Sequence, residues 1–189
     1  MLTTVNSAAV AGLDAQMIRV EVDTMFGLSR HTIVGLPDTA VKESKERIES
    51  ALKNSRIPVD LFCKFTINLA PAHLRKEGPA FDLPIAVGMM ANAGLFAPAV
   101  LRDKLFLGEL SLDGAVKPVR GVLAMAIEAG QQGLREVLLA PENAEEAAVI
   151  NGLKVIPARD VASVRAYLAG EKSLEPYRAG RLRPAAQFY

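Results

Sequence analysis

The sequence feature that most constrains the fold is a hydrophobic pattern whose period changes repeatedly along the chain. In residues 17–26, apolar side chains alternate with polar ones up to Phe26, as in a strand with one buried face. From Asp38 the apolar spacing widens to three or four residues, which predicts a helix with Asp38 as its N-cap and an end near Asn54. Residues 63–69 return to alternation. Strand and helix patterns that follow one another in this way predict a single α+β or α/β domain.

The remaining elements are predicted from the same patterns and from turn residues. Residues 3–10 and 31–35 resemble weaker strands, which we expect to form an antiparallel meander with residues 17–26. Asp113-Gly114 predicts a tight hairpin turn. The other predicted elements are a buried helix that begins at Asp82, helices over residues 121–131, 142–150 and 161–168, and strands over residues 136–141 and 153–158.

The end of the chain differs from the rest. Residues 170–189 lose all periodicity and collect glycine, proline and arginine, which is typical of a linker or tail. We therefore predict one domain over residues 1–169, followed by a basic linker over residues 170–189.

The charge balance and the few reactive side chains exclude several classes of protein. With 22 Lys and Arg against 21 Asp and Glu, the net charge of +1 creates no bulk field of the kind that attracts nucleic acid or anionic membranes. Cys63, His31 and His73 leave too few ligands for a disulfide framework or a metal site. The longest apolar run, residues 83–91, is far shorter than the roughly 20 residues of a membrane span. The first residues lack a basic segment before an apolar one, so we expect a cytoplasmic protein without a membrane partner.

Two common nucleotide-binding motifs are absent from the sequence. None of the 14 glycines is followed by lysine, so there is no Walker A loop. No GxGxxG phrase occurs, so a Rossmann-type dinucleotide site has no support. We therefore predict no cofactor for this chain.

Four phrases in a fixed order carry more specific information: IVGLPD at 33–38, NLAPAHLRKEGPAFDLPIA at 68–86, LGELSLDGAVKPVRG at 107–121 and LLAPENAEEA at 138–147. Together they resemble the N-terminal domain of the magnesium-chelatase-related AAA+ proteins of the YifB/ComM type, over residues 1 to about 170. That domain is similar to the protease domain of Lon. The resemblance implies a two-layer fold of the ribosomal-protein-S-five domain-2 type, with a mixed sheet and helices mainly on one side. It also implies that an ATPase domain, which would bind ATP and Mg²⁺, follows the linker.

The resemblance indicates in addition that the peptidase chemistry of Lon is missing. Lon uses a serine nucleophile that a lysine activates. The serine position of its KDGPSAG-type loop falls on Ala80 in KEGPAFD, and the lysine position of its GGLK-type phrase falls on Leu123 in RGVL. A methyl group cannot attack a carbonyl and an alkyl chain cannot accept a proton, so we expect no enzymatic activity from this chain.

Basic residues around the same loop are the candidate contacts for DNA or phosphate. Arg75 and Lys76 precede the helix that begins at Asp82, and a Lon-like fold would place Arg120 nearby. The free N–H groups and the dipole of a helix N-terminus favour a phosphate there. The alternative is a solvated loop whose charges pair with Glu77 and Asp82. The complete candidate set is Arg75, Lys76, Lys117, Arg120, Arg178, Arg181 and Arg183.

Four functions remain open at this point. The resemblance implies the first, a non-catalytic domain of a hexameric ATPase that drives DNA branch migration in recombination and natural transformation. Weak contacts with single-stranded or branched DNA would then be multiplied over six copies. The second is a module for ring assembly or protein docking without DNA contact, which the apolar connection LFAPAVL at 95–101 favours. A magnesium-chelatase component and a residual peptidase rank last.

Overall fold

The computed structural model describes residues 1–27 and 30–178. Within these residues the chain forms nine β-strands and six α-helices. The strands are β1 (Leu2–Ala11), β2 (Asp14–Met25), β3 (Arg30–Val34), β4 (Lys64–Ala70), β5 (Lys104–Phe106), β6 (Glu109–Leu110), β7 (Val116–Lys117), β8 (Glu136–Leu139) and β9 (Lys154–Pro157). The helices are α1 (Thr39–Lys42), α2 (Ser44–Asn54), α3 (Asp82–Asn92), α4 (Val122–Gln131), α5 (Ala144–Ala147) and α6 (Val161–Leu168).

Seven of the strands within the described ranges form one mixed sheet in the order β3-β4-β2-β1-β5-β8-β9, and β6 and β7 form a separate hairpin. β1 and β2 are antiparallel, and Ala11 lies opposite Asp14 across a tight turn. β2 is also antiparallel to β4. The remaining pairs in the large sheet are parallel, namely β3 with β4, β1 with β5, β5 with β8 and β8 with β9. The predicted α/β fold class with a mixed sheet is confirmed.

Helices cover both faces of this sheet, although unequally. α2, α3 and α6 pack on one face and form the larger hydrophobic core with it. α3 is buried on almost every side, and Gly88 lets it approach β2, because a Cβ there would lie 2.5 Å from Val22 Cγ2. α4 and α5 pack on the other face in a smaller core around Leu105 and Val137. The expectation that helices lie mainly on one side is thus confirmed by α2, α3 and α6, and α4 and α5 are the exceptions on the other face.

Two predictions at the N-terminal side of the sheet were wrong. β3 does not continue a meander but lies beyond β4 and parallel to it, because α1 and α2 form the crossover that a parallel pair requires. Phe26, predicted to be on the buried face of β2, is 96% exposed because β2 ends at Met25.

Two predictions in the second half also need correction. The helix predicted over residues 142–150 is reduced to the four residues of α5, because a 3₁₀ turn over Pro141–Asn143 occupies its start. In the LFAPAVL connection, Phe96 and Leu101 are buried in the larger core. The connection therefore does not present its large apolar side chains as a docking surface.

The residues after α6 lie against the domain. Leu174 packs against the larger core and Tyr177 against the smaller one. The Tyr177 N–H also donates to the Val155 carbonyl of β9 at 2.8 Å. The domain boundary at residue 169 stays a prediction.

Candidate functional site

A cavity of about 630 Å³ lies beside the end of β1. Its walls are formed by the last residues of β1, the loop over residues 77–81 before α3, and the loop over residues 118–121 before α4. The charged residues on its lining are Glu77, Glu109 and Arg120, and the other lining residues are apolar or glycine. The cavity therefore lies where two of the four sequence phrases meet.

The loop before α3 is held by the IVGLPD phrase, more than thirty residues earlier in the chain. Asp38 Oδ1 accepts a hydrogen bond from the Val41 N–H at 2.7 Å, as predicted for an N-cap, and its Oδ2 accepts one from the Gly78 N–H at 3.0 Å. The Lys76 N–H donates to the Leu36 carbonyl at 3.1 Å, and the Asp38 N–H donates to the Lys76 carbonyl at 3.0 Å. Asp38 thus both begins α1 and fixes a wall of the cavity.

Lys76 turns inward from this loop. The residue is fully buried, and its ammonium group donates a hydrogen bond to the Pro71 carbonyl. Burial lowers the pKa of Lys76. The prediction that Lys76 contacts DNA or phosphate is therefore corrected, since the residue serves the internal structure of the loop.

A buried ion pair fixes the start of α3. Arg47 Nε lies 2.7 Å from Asp82 Oδ2, Arg47 Nη2 lies 3.0 Å from Asp82 Oδ1, and the Leu110 N–H donates to Oδ2 at 3.1 Å. Burial raises the pKa of Asp82 although these hydrogen bonds oppose the rise, and the bond with Asp82 raises the pKa of Arg47. The Leu83 N–H donates to the Gly108 carbonyl at 3.0 Å. Because Arg47 and the Gly108 carbonyl already bind the groups at the start of α3, the predicted phosphate site there is not supported. Asp82 pairs with Arg47 and not with the cations of the preceding loop.

The loop over residues 118–121, which forms the third wall of the cavity, is also held by hydrogen bonds and close packing. Asn143 Nδ2 donates to the Val119 carbonyl at 2.9 Å, and Asn143 Oδ1 accepts from the Val119 N–H at 2.8 Å. Gly121 has φ +78°, and a Cβ on it would lie 2.4 Å from Val10 Cγ2, so a side chain has no room there. Glu146 Oε1 accepts from the Leu123 N–H at 3.0 Å in the first turn of α4. These contacts give structural roles to Gly121, Asn143 and Glu146 of the sequence phrases.

The two positions that match the catalytic pair of Lon lie on and beside these walls. Ala80 lines the cavity with its methyl group. Leu123 lies in the first turn of α4, is 40% exposed and is outside the cavity lining. Neither side chain offers a nucleophile or a base.

Of the predicted cations in the described residues, Arg120 lines the cavity, and Arg75 and Lys117 each lie beside a lining residue and are counted here as rim cations. Arg75 Nε lies 3.1 Å from Glu77 Oε1 in an exposed ion pair, as the solvated-loop alternative predicted. Arg120 is exposed and lines the cavity, and Lys117 is exposed next to Pro118 of the lining. The tail candidates are Arg178, which is exposed and does not line the cavity, and Arg181 and Arg183, which lie outside the described residues.

Sequence reasoning missed two residues of this site. Glu109 is half-buried on the cavity lining, and Val10 lies at its edge. The GELSL segment predicted a hairpin but not that Glu109 faces a cavity. Val10 lies at the edge of the cavity because β5 pairs with β1 only at Asn6 and does not cover the end of β1.

Metal-ligating and membrane-spanning features are absent from the part of the chain that the structure describes. Across residues 1–27 and 30–178, no three His, Cys, Asp or Glu side chains are grouped to hold a metal ion. No helix in the same ranges has the length and apolar character needed to cross a bilayer.

This chain is similar in sequence to one family model and to several known proteins. Residues 20–143 match the family model described as subunit ChlI of Mg-chelatase. The chain is 40% identical over 174 residues to the uncharacterized protein YifB of Escherichia coli (strain K12), a match that covers 92% of this chain and 34% of YifB. It is 38% identical over 173 residues to the competence protein ComM of Haemophilus influenzae, with 92% and 34% covered. Lon protease 3 of Sorangium cellulosum is 25% identical over 169 residues, with 87% of this chain and 19% of that protein covered.

Fold and relatives together define an α/β domain of the Lon-like class. The chain belongs to the ChlI-type, magnesium-chelatase-related family that includes YifB and ComM. It spans about a third of the length of these two relatives.

Proposed function

We propose that this chain is the non-peptidase N-terminal domain of a ComM/YifB-type AAA+ protein that acts on DNA. The observation that carries the proposal is the position of Ala80, whose methyl group lines the cavity where the related peptidase sequence has its serine. Leu123, at the lysine position, also lacks a basic group. The domain would thus keep the fold of a peptidase and serve the ATPase motor in another way.

Contact with DNA at the cavity rim is the role that the exposed charges favour. Arg75, Lys117 and Arg120 are exposed around one cavity, so a phosphate backbone could lie against all three. The net charge of the chain is only +1, so one copy would bind weakly. In a hexameric ring six such rims would act together, which converts weak contacts into useful affinity.

The lack of peptidase activity is tested with fluorogenic peptides and with casein as substrates. We expect the chain to release no more fluorescence than buffer, because no hydroxyl and ammonium pair lies at the matching positions. Turnover that is retained by the purified, folded chain and lost on its thermal unfolding would contradict the proposal.

DNA contact is tested by fluorescence anisotropy with labelled single-stranded and forked DNA at several salt concentrations. The triple variant Arg75→Gln, Lys117→Gln, Arg120→Gln removes the rim cations. Each lost phosphate contact lowers the slope of log affinity against log salt by about 0.7 for a single strand, so we expect the slope to fall by about 2.

A matched control removes three exposed cations elsewhere through Arg19→Gln, Arg102→Gln and Arg135→Gln. We expect this control to leave the salt slope almost unchanged. An equal loss in both triple variants would mean that only net charge matters. No binding of the unmodified chain at low salt would favour the alternative of a docking module without DNA contact.

A further inference from the structure

The end of β1 presents an open strand edge to the cavity. β5 pairs with β1 only at Asn6, which lies opposite Leu105. The Gly108 N–H, which would continue this ladder, donates instead to the Ala80 carbonyl at 3.1 Å. Among the described residues, β1 therefore has no neighbouring strand on the cavity side beyond Ser7.

The register of the hairpin shows which backbone groups face this edge. The Thr24 N–H donates to the Met1 carbonyl at 3.0 Å, so the odd-numbered residues along β1 exchange hydrogen bonds with β2. Since backbone groups point alternately to the two sides of a strand, Val10 directs its N–H and C=O away from β2. Val10 also lines the cavity, and the residue is 46% exposed.

The cavity beside this edge suits the side chains of an added strand. Its volume of about 630 Å³ falls within the range of about 300–1,000 Å³ that is typical of ligand sites. Most of its lining is apolar, including Ala80, Pro118 and Met125. Addition of a strand to an open edge, with alternate side chains in adjacent pockets, is a recurrent mode of peptide recognition.

A carboxylate inside the cavity specifies the charge of the ligand. Glu109 is half-buried on the lining, with Lys117 directly opposite it in the β6–β7 hairpin and Arg120 on the same lining. Neither of these cations, nor any other residue in the described ranges, forms a hydrogen bond or ion pair with the Glu109 side chain. Arg47 interacts with Glu109 electrostatically. Its guanidinium group, however, directs its hydrogen bonds to Asp82, Ser44 and the Ala40 carbonyl. A half-buried carboxylate without a donor favours a cationic partner from outside.

We propose that this cavity binds an extended segment of a partner protein, which pairs with β1 at Val10 and places a lysine or arginine side chain against Glu109. Apolar side chains of the same segment fill the cavity. The anionic DNA backbone carries the wrong charge for Glu109, so the peptide and the DNA would use different charged side chains of the same cavity region.

The first test is selection of short random peptides, displayed on phage, against the immobilised chain. Enriched peptides are synthesised with a fluorescent label and measured by anisotropy. We expect alternating apolar residues and one basic residue among them. The Glu109→Gln variant should weaken their binding about ten- to a hundredfold, the factor for a lost hydrogen bond to a charged group. Glu145→Gln, at an exposed carboxylate outside the lining, should change nothing. The effect of Glu109→Gln should disappear when the basic residue of the peptide is replaced by alanine.

The second test addresses the strand edge. Val10→Pro removes the N–H that faces the open edge and leaves the ladder with β2 complete, whereas Val10→Ala removes only side-chain contacts. We expect the proline variant to lose peptide binding and the alanine variant to keep most of it. Bound peptide should also slow hydrogen exchange of the Val10 amide. Thermal unfolding shows whether each variant is folded. If Val10→Pro does not fold, the peptide affinity of Glu109→Gln alone tests the proposal.

Three outcomes would overturn the proposal. The first is failure of any sequence to be enriched over the empty support. The second is equal peptide affinity of the unmodified chain and Glu109→Gln. The third is unchanged affinity for the unmodified chain when the basic residue of an enriched peptide is replaced by alanine, because Glu109 would then have no cationic partner.

Discussion

Removal of the Asp82 carboxylate should destabilise the domain severely. Asp82 is fully buried and accepts hydrogen bonds from Arg47 Nε at 2.7 Å, from Arg47 Nη2 at 3.0 Å and from the Leu110 N–H at 3.1 Å. Asp82→Ala leaves a largely buried guanidinium without its counter-charge, and breaking such a pair costs about 3–5 kcal/mol. Because 20% of the Arg47 side chain is exposed and it keeps its bonds to Ser44 and Ala40, we expect a value near the lower end, ~3 kcal/mol.

Urea unfolding followed by circular dichroism measures this loss. With a denaturant slope of about 1–3 kcal/mol per molar, a loss of ~3 kcal/mol should lower the midpoint by about 1–3 M. The double variant Arg47→Met, Asp82→Leu should recover most of the stability, since replacing both members of a buried pair by apolar residues is often neutral. Glu77→Ala, which breaks the exposed pair with Arg75, is the control and should cost less than about 1 kcal/mol. A midpoint for Asp82→Ala within error of the unmodified chain, or a double variant as unstable as the single one, would refute the reasoning.

Two further predictions concern a titration and a close backbone contact. The Tyr167 hydroxyl donates to Glu136 Oε2 at 2.9 Å, and burial together with this bond raises the pKa of Tyr167 to about 12 from its ordinary value of 10.0. The folded state therefore holds the proton more tightly, so this contribution to stability is complete below about pH 10 and is lost between about pH 10 and 12. Ultraviolet titration should show a late tyrosinate phase that Tyr167→Phe removes, and persistence of that phase in the variant would contradict the assignment. Gly35→Ala should cost about 1–3 kcal/mol more than Gly133→Ala in urea unfolding. Both glycines have positive φ, but a Cβ at Gly35 would lie 2.3 Å from the Leu69 carbonyl oxygen and one at Gly133 would meet nothing within 4 Å. Equal losses of unfolding free energy in the two variants would show that the positive φ alone, and not the contact with Leu69, determines the cost.

The local elements were predictable because local physics forms them. Alternation identified β2 and β4, Asp38 capped α1 as predicted, and α6 begins and ends at the predicted residues. The all-apolar sequence after Asp82 indicated a buried helix, and α3 is one. Periodicity reports which face of an element is buried, and a cap reports where a helix begins.

The site was predictable only in part. The sequence phrases correctly indicated Ala80 and Arg120 as neighbours of one loop region. They could not indicate that Lys76 is buried, because its direction depends on backbone pairing with Leu36 and Asp38, forty residues away in the chain. The sequence of a loop is the same whether the ammonium group of its lysine reaches solvent or a carbonyl group inside the fold.

By itself, the sequence determined the kinds of elements, the family and the loss of the residues that match a peptidase pair. Tertiary structure alone decided that β3 is parallel to β4 and that β5 leaves β1 after a single paired residue, Asn6. The physical reason is that strand periodicity defines the two faces of a strand but not the neighbour at either edge. Only the long-range packing of α3, which engages Gly108, opens the β1 edge at Val10 and leaves Glu109 beside it.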